Sequence, residues 1–555
     1  MVKKFLSINE VPVEIKEKLS RYVTNVGGNT FVIHGLPSEL TGGLLARYSR
    51  AQTGLQLTLL NEFLDDNGEP SAQRGSALMD RVLNAFGDDS VGELEGTHVG
   101  IEDISQLATK WIEDRRIGGS PIEQSTRYVK YDVKDENGRW RYLRPTEIMQ
   151  SGLGDKFESV NNRAFDVYQK GVKGLVDHFK QEFPRSKQTL EVDRYETRVK
   201  VGEADLINDE ERKAFDLAYN FTIRCAALDV GRCVLPSSTL THIGLFGNGR
   251  FYTSLLNFLK SNELEEAQSR ASDLELELNK VIPTFIKRNK ANPQSAQINT
   301  AMKEVASELF RDIVPTGDKV TLLSRSNEYI NEVLASALFS YTNVSMPQIM
   351  NRLGEISEER KLELLNLYKG KRESRRDRTG RGIEAGYPLT FDLVGGFAEY
   401  RDLERHRMLT QQRQDLTTEL GFILPPEMSV IGLEGEVNEV VGMMDDLNSD
   451  IRHAGLIQAG QYATLFNHRM RFMLGMNLRA FQHLSELRTQ PAGHFSYRSM
   501  VMEMANAVTE LYPWAKTFYN FVDYSDPGNK ISRATEQSKI SGRNLASGVD
   551  ASLDI

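Results

Sequence analysis

Cysteine is almost absent from the chain, with two residues, Cys225 and Cys233, among 555. Two thiols cannot build a disulfide framework or a cysteine-based zinc site, so buried free thiols in a reducing compartment are expected. Long apolar runs are missing too. None approaches the roughly 18–20 residues that span a bilayer, and MVKKFLSINEVPVEIKEKL at the start returns to charge too soon to hold a secretory apolar region. A cytoplasmic location with no membrane partner is the expectation. Basic charge is not in excess either: 68 Lys and Arg against 77 Asp and Glu leave a net charge of −9. That argues against nucleic acid as a partner, yet a few local arginines can still hold a small anion.

What is present is an ordinary globular composition, 40% hydrophobic and 26% charged, in a chain long enough for two to four domains. LARYSRAQTGLQLTLLNEFL and SALMDRVLNAF place apolar residues at helical spacing. A loop is expected at Gly118–Pro121, then a strand at STRYVKYDV, then a turn at the Asn-Gly of DENGRWRY. Residues 145–220 are polar and helical, and predict a structural insertion. Helices follow in LLNFLKSNELEEAQSRASDLELELNKVI and NTAMKEVASELFRDIV. The basic run Lys369–Gly382 predicts a solvated loop, and the polar tail 526–555 a flexible end.

Three segments carry candidate chemistry. In RRIGGSPIEQSTRYVKYD, Glu123, Ser125 and Arg127 alternate; on an extended segment they share one side and suit a nucleotide, or stand as ordinary outward polar residues. In RDLERHRMLTQQRQDL, Arg405, His406 and Arg407 sit side by side in a helical pattern. There the two arginines diverge, and meet one ligand only at a junction. In GMNLRAFQHLSELR, Asn477 and Arg488 are three helical turns apart and share a face, while Arg479 and His483 share another. No second ligand stands at metal spacing from His483, so no metal is expected.

Together these segments resemble the flavin-dependent thymidylate synthase family, whose hallmark is RHRxxSxNExSxRY followed by Asn-x-Arg and a further arginine. SPIEQSTRY keeps Ser120, Glu123, Ser125, Arg127 and Tyr128 of the hallmark, but Arg115-Arg116-Ile117 stands for RHR and Ile122 for the asparagine. FGDDSVGE resembles the upstream element, with Ser90 kept and Asp88 in place of histidine. DVGRCVLP resembles the segment with the phosphate-binding arginine, here Arg232. Asn248-Gly249-Arg250 matches Asn-x-Arg, with Leu259 at the later arginine. The second half is the converse. Arg405-His406-Arg407, Asn477, Arg479, His483 and Arg488 match, while the rest reads Thr410, Gln412, Arg413, Asp415, Thr417 and Thr418, and Gln461 replaces the phosphate-binding arginine.

The resemblance implies an α+β chain of two fused synthase-like domains, helix-rich with small mixed sheets. The first repeat would span 1–295 (nucleotide half) and the second 296–525 (flavin half). Because each copy keeps what the other lacks, it implies one composite site between the repeats. There Glu123, Ser125, Arg127, Arg232 and Arg405 would bind dUMP, and Arg488 would bind and activate the uracil ring. FAD would be held by Ser90, Glu123, Arg405, His406, Arg407, Asn477, Arg479 and His483. NADPH and methylenetetrahydrofolate would be the cosubstrates of a reductive methylation to dTMP. A homodimer would restore the family's four-domain assembly. Asp402, Ile122 and Gly493-His494 depart from the family pattern. They leave two alternatives open, a flavin enzyme on another pyrimidine nucleotide and a non-catalytic nucleotide- or flavin-binding subunit.

Overall fold

A computed structural model describes residues 5–48, 51–65, 67–70, 93–115, 117–194, 197–287, 289, 314, 317–323, 328–339, 345–370, 372–373, 381–386 and 388–528. In chain order the principal elements of the first repeat are α1 (Ser38–Tyr48), β1 (Gly96–Ser105), α2 (Gln106–Glu113), β2 (Gly119–Glu123), α3 (Gly154–Glu182), β3 (Thr189–Arg194), β4 (Thr197–Gly202), α4 (Asp209–Gly231), β5 (Leu240–Asn248), α5 (Gly249–Lys260) and α6 (Glu265–Leu278). Those of the second are β6 (Val320–Leu322), β7 (Leu389–Gly396), α7 (Phe397–Leu403), β8 (Thr410–Arg413), α8 (Glu434–His453), β9 (Arg469–Met476), α9 (Leu478–Arg488) and α10 (Phe495–Leu511). The protein is thus α+β and helix-rich. Its sheets are small, and every described ladder is antiparallel rather than mixed. Among the described residues no helix is long and apolar enough to cross a membrane.

The chain divides into two compact units. The first comprises Met1–Gln124, Pro145–Glu147 and Leu240–Ile313. Leu19, Tyr22, Val23, Leu40, Leu44, Leu59 and Phe63 form its N-terminal core; SALMDRVLNAF, and NTAMKEVASELFRDIV up to Ile313, lie outside the described residues. Its sheet runs β1-β5-β2, with Gly119 opposite Gly247 and Glu123 opposite Ile243. The expected loop at Gly118–Pro121 is therefore mostly strand. Pro121 misled the sequence reading, but β2 is an edge strand and no further ladder needs the missing N–H. Ser105 caps α2 by accepting from the Ala108 N–H at 3.0 Å, and Asn248 caps α5 by accepting from the Phe251 N–H at 2.8 Å.

The second unit comprises Ser125–Arg144, Ile148–Thr239 and Val314–Ile555, so it draws on both repeats. Its sheet runs β6-β7-β9-β8. β7 is buried along nearly its whole length, as a strand covered on both faces requires. STRYVKYDV is not a strand here. The chain leaves the ladder at Glu123 and turns, with the Tyr128 and Val129 N–H groups both donating to the Ser125 carbonyl. The Asn137-Gly138 turn does form, closed by the Gly138 N–H on Asp135, with Gly138 at φ +73°. Both cysteines, Cys225 in α4 and Cys233 after it, are buried thiols outside any disulfide.

The segment expected as an insertion begins with an element that the second repeat also owns. Gly152 (φ +83°) and Leu153 lead into α3 as Gly432 (φ +76°) and Leu433 lead into α8. What the first repeat adds is the far end of α3, the β3–β4 hairpin and the start of α4. Within this unit the loops after Arg232 and Gln461 pair with each other, Pro236 opposite Leu465. Those two residues are equivalent when counted from Arg232 and Gln461, as at a local two-fold axis. The basic run, expected as solvated, has an anchored member among its described residues: the Arg372 side chain is 3% exposed and donates to both Glu486 oxygens at 2.7 and 2.6 Å. Residues 374–380 of the run and the tail from 529 lie outside the described residues.

Candidate active site

α7 ends at Leu403, so Arg405-His406-Arg407 is not helical as expected. It lies on the turn that carries the chain into β8. Exposure therefore alternates: His406 is buried, and both arginines are exposed. The pair no longer diverges around a helix. His406 Nε2 accepts from Arg488 Nε at 2.8 Å, and its ring meets that of exposed His483 edge-on at 5.4 Å. Burial first, then Arg488 and His483, hold the His406 pKa well below its ordinary value, so it is a neutral acceptor.

Behind this turn, in the second unit, a buried ionic cluster joins residues of both repeats. Arg127 closes its Nε and Nη2 on Asp229 at 2.7 and 2.8 Å, a bidentate pair. Arg232, at the end of α4, is 2% exposed. Its Nη1 and the Nη1 of Arg401 both donate to the Thr126 hydroxyl at 3.2 Å. Its Nη2 stands 3.6 Å from Asp402 Oδ2, and neither Nε nor Nη2 has a hydrogen-bond partner. Burial alone would raise the Asp402 pKa, but Arg127, Arg232, Arg488 and Arg405 hold it down at about 2. Asp402 is thus a counterion within the cluster. Four guanidiniums, of Arg127, Arg232, Arg488 and Arg405, act on Asp402, and Asp229 is the second carboxylate of the cluster, which leaves net positive charge. His494 donates from Nε2 to the Asp229 carbonyl at 3.2 Å; burial, then Arg232, lower its pKa to about 3. Tyr497 presents its ring to Arg127 and Arg488.

Other expected site residues are engaged elsewhere. Glu123, in the first unit, accepts from the Thr109 hydroxyl and from Lys110 Nζ, each at 3.2 Å. Ser125 accepts the Arg127 N–H at 3.2 Å and so serves its own turn. Asn477 caps α9 by accepting from the Ala480 N–H at 2.9 Å, while Arg479 pairs with Glu384 at 3.0 Å. Ser90 lies outside the described residues. Among the described residues no group of three or more His, Cys, Asp or Glu could hold a metal. The motif reading missed Thr126, Asp229, Arg401 and Tyr497. Asp229 had a signal: a lone carboxylate in the apolar run CAALDVG needs a buried cation.

A family model described as thymidylate synthase complementing protein matches residues 44–284 and 386–514. A UPF0159 protein of Chlamydia muridarum is 33% identical over 546 residues, covering 95% of this chain and 98% of the relative. Its counterpart in Chlamydia pneumoniae is 33% identical over 531 residues (92% and 95%), and one in Thermoplasma acidophilum 29% over 512 (90% and 99%). Each therefore spans both repeats. Among solved structures, the UMP/dUMP methylase PolB from Streptomyces cacaoi covers 36% of this chain and 94% of its own, at 15% identity. Its TM-score of 0.29 is too low a likeness to build on.

Proposed function

This chain belongs to the thymidylate synthase complementing protein family, and from that premise we propose that it methylates a pyrimidine nucleotide, dUMP, at one composite site. The observation that carries the reading is Arg232. A buried guanidinium with two nitrogens that make no hydrogen bond, in a cluster of net positive charge, calls for an anion. A nucleotide phosphate supplies one, with acceptor oxygens that match the guanidinium fork.

In this reading Arg232 holds the phosphate. Arg127, its fork closed on Asp229, contributes positive charge behind the site. Arg488, held by neutral His406, stabilises negative charge developing on the ring, an oxyanion-hole type of role. The donor set around His406 suits a flavin nucleotide, with exposed Arg405 and Arg407 on the turn and the His483 ring beside them. FAD, when bound, supplies the hydride chemistry, with NADPH as reductant and methylenetetrahydrofolate as carbon donor. Glu123, Asn477 and Arg479 keep the structural partners described above, and Arg405 remains a candidate for nucleotide or flavin.

Asp402 favours a second reading, a flavin enzyme on another pyrimidine nucleotide, because its carboxylate replaces a neutral amide of the family pattern. The test is tritium release from the C5 position of labelled dUMP with methylenetetrahydrofolate and NADPH present. Release is expected in wild type and lost, by about 100-fold or more, in Arg488→Ala. A protein that takes up no FAD and releases no tritium overturns both readings. FAD uptake without tritium release leaves the second.

A further inference from the structure

Tyr497 belongs to none of the motifs in the sequence, yet it stands where guanidiniums from both repeats converge. Its ring centroid is 6.0 Å from the guanidinium carbon of Arg127 and 5.7 Å from that of Arg488. The residue is 4% exposed; its hydroxyl makes no hydrogen bond among the described residues and is not one of the fully buried unpartnered atoms, so it keeps contact with solvent. A buried ring whose hydroxyl alone meets solvent, set beside two guanidiniums, is placed to hydrogen-bond a ligand that displaces that solvent.

The surroundings show that this open hydroxyl is accommodated rather than neglected. A Cβ on Gly493 would come within 2.8 Å of the Tyr497 hydroxyl and 3.0 Å of its Cε2. A side chain there would press on the tip of the ring and on the Gln490 carbonyl oxygen, also 3.0 Å away. The neighbouring polar edges are committed already. Arg127 is closed on Asp229, Arg488 Nε on His406, and His494 on the Asp229 carbonyl and the Ser496 N–H. Arg232 has open donors suited to a phosphate, which only accepts hydrogen bonds. A phenol both donates and accepts, which suits a ring edge that alternates carbonyl oxygens with an N–H.

We propose that Tyr497 is a substrate-binding residue of this site, its hydroxyl hydrogen-bonding the pyrimidine ring beside Arg488. The inference rests on the proposed nucleotide site and adds the group that reads the base. Tyr497→Phe removes the hydroxyl and keeps the ring between its two guanidiniums.

Titration calorimetry of the full chain with two ligands tests it: dUMP, and 2-deoxyribose 5-phosphate, which has the sugar phosphate but no base. Tyr497→Phe should weaken dUMP about tenfold, the worth of one hydrogen bond, and leave the sugar phosphate unchanged. Arg232→Gln should weaken both. Wild-type dUMP affinity in Tyr497→Phe overturns this inference and leaves the nucleotide site standing. Equal losses on both ligands also overturn it, because the hydroxyl would then serve the phosphate or the fold. Wild-type protein that binds neither ligand overturns the nucleotide site itself, and this inference with it.

Discussion

Asp229-Val-Gly-Arg232 and Gln458-Ala-Gly-Gln461 occupy the same station in the two repeats, each arginine or glutamine sixteen residues before the asparagine that caps the next helix. In the first repeat the station is ionic: Asp229 grips Arg127, and Arg232 is buried with two nitrogens that make no hydrogen bond. In the second it is neutral and closed. Gln461 accepts the Leu416 N–H at 3.2 Å and donates to the Gln458 side chain at 3.1 Å, while Gln458 donates to Asp415 at 2.9 Å. Both lie in one unit and face the same local two-fold. A station whose amides satisfy each other holds the fold together. A station with a buried guanidinium whose donors are left without hydrogen bonds is, on the proposed reading, kept for a ligand. Fusion permits this divergence, since two halves of one chain need not stay identical.

The largest expected effect separates the two stations by stability. Asp229→Ala leaves the Arg127 guanidinium buried without its counterion, at a cost of about 3–5 kcal/mol. Gln458→Ala removes a neutral, half-buried amide and costs about 1 kcal/mol. Urea denaturation of both variants reads the contrast. Comparable losses would mean that the ionic station is no more demanding than the neutral one.

Nucleotide affinity should divide them the other way. Arg232→Gln is expected to weaken dUMP by about 100-fold, the scale of lost charge-assisted bonds to a phosphate. Gln461→Ala should leave affinity within about twofold while lowering stability by about 1–3 kcal/mol. A Gln461 variant that loses nucleotide binding while remaining folded would restore function to the second station.

Acid should act first on the ionic station. His494 is neutral in the folded protein, with a pKa of about 3 against the usual 6.5, and His406 shifts in the same direction. Between about pH 3 and 6.5 the unfolded chain binds a proton at His494 that the folded chain does not. Stability is therefore whole above 6.5 and falls as pH drops, by ~1.4 kcal/mol per pH unit for each such group. Asp402, lowered to about 2, adds a loss only below its ordinary 3.8. His494→Gln should flatten the profile between pH 6.5 and 5, measured as Tm against pH. An unchanged slope would remove His494 from the account.

The family resemblance was legible because its residues are local: RHR, Asn-x-Arg and DVGR each fit within a few positions. Their partners were not. Nothing in the sequence brings Asp229 to Arg127, 102 residues away, or Thr126 to Arg401, 275 residues away. Local pattern also misplaced two elements. β-branched and aromatic residues in STRYVKYDV outweighed the plainer Gly119–Glu123, although the ladder on β5 decides which segment is strand. Periodicity carried the expected helix through Arg405-His406-Arg407, but the chain must turn there for β8 to reach β9. Arg372 looked like one more charge in a basic run, because burial against Glu486, 114 residues away, is a tertiary fact.

The smallest expected effect concerns a helix pair in which the repeats carry opposite charge. α3 places Lys156, Arg163 and Lys170 seven residues apart along one side. α8 answers with Asp450, 2.6 Å from Lys156, with Glu439, 2.7 Å from Arg163, and with Glu436, paired to both Arg163 and Lys170. These groups are partly exposed, so each pair contributes only about 0.2–1 kcal/mol and is screened by salt. Reversing all three cations to Glu should cost about 1–2 kcal/mol in total at low ionic strength and less at high. Reversing Asp450, Glu436 and Glu439 to Lys in the same chain should restore the loss. Recovery in that double set marks a charge pattern that sets the antiparallel register of α3 on α8. If the second set adds to the damage instead, the charges act on the fold singly, and the repeats are held by their apolar contacts alone.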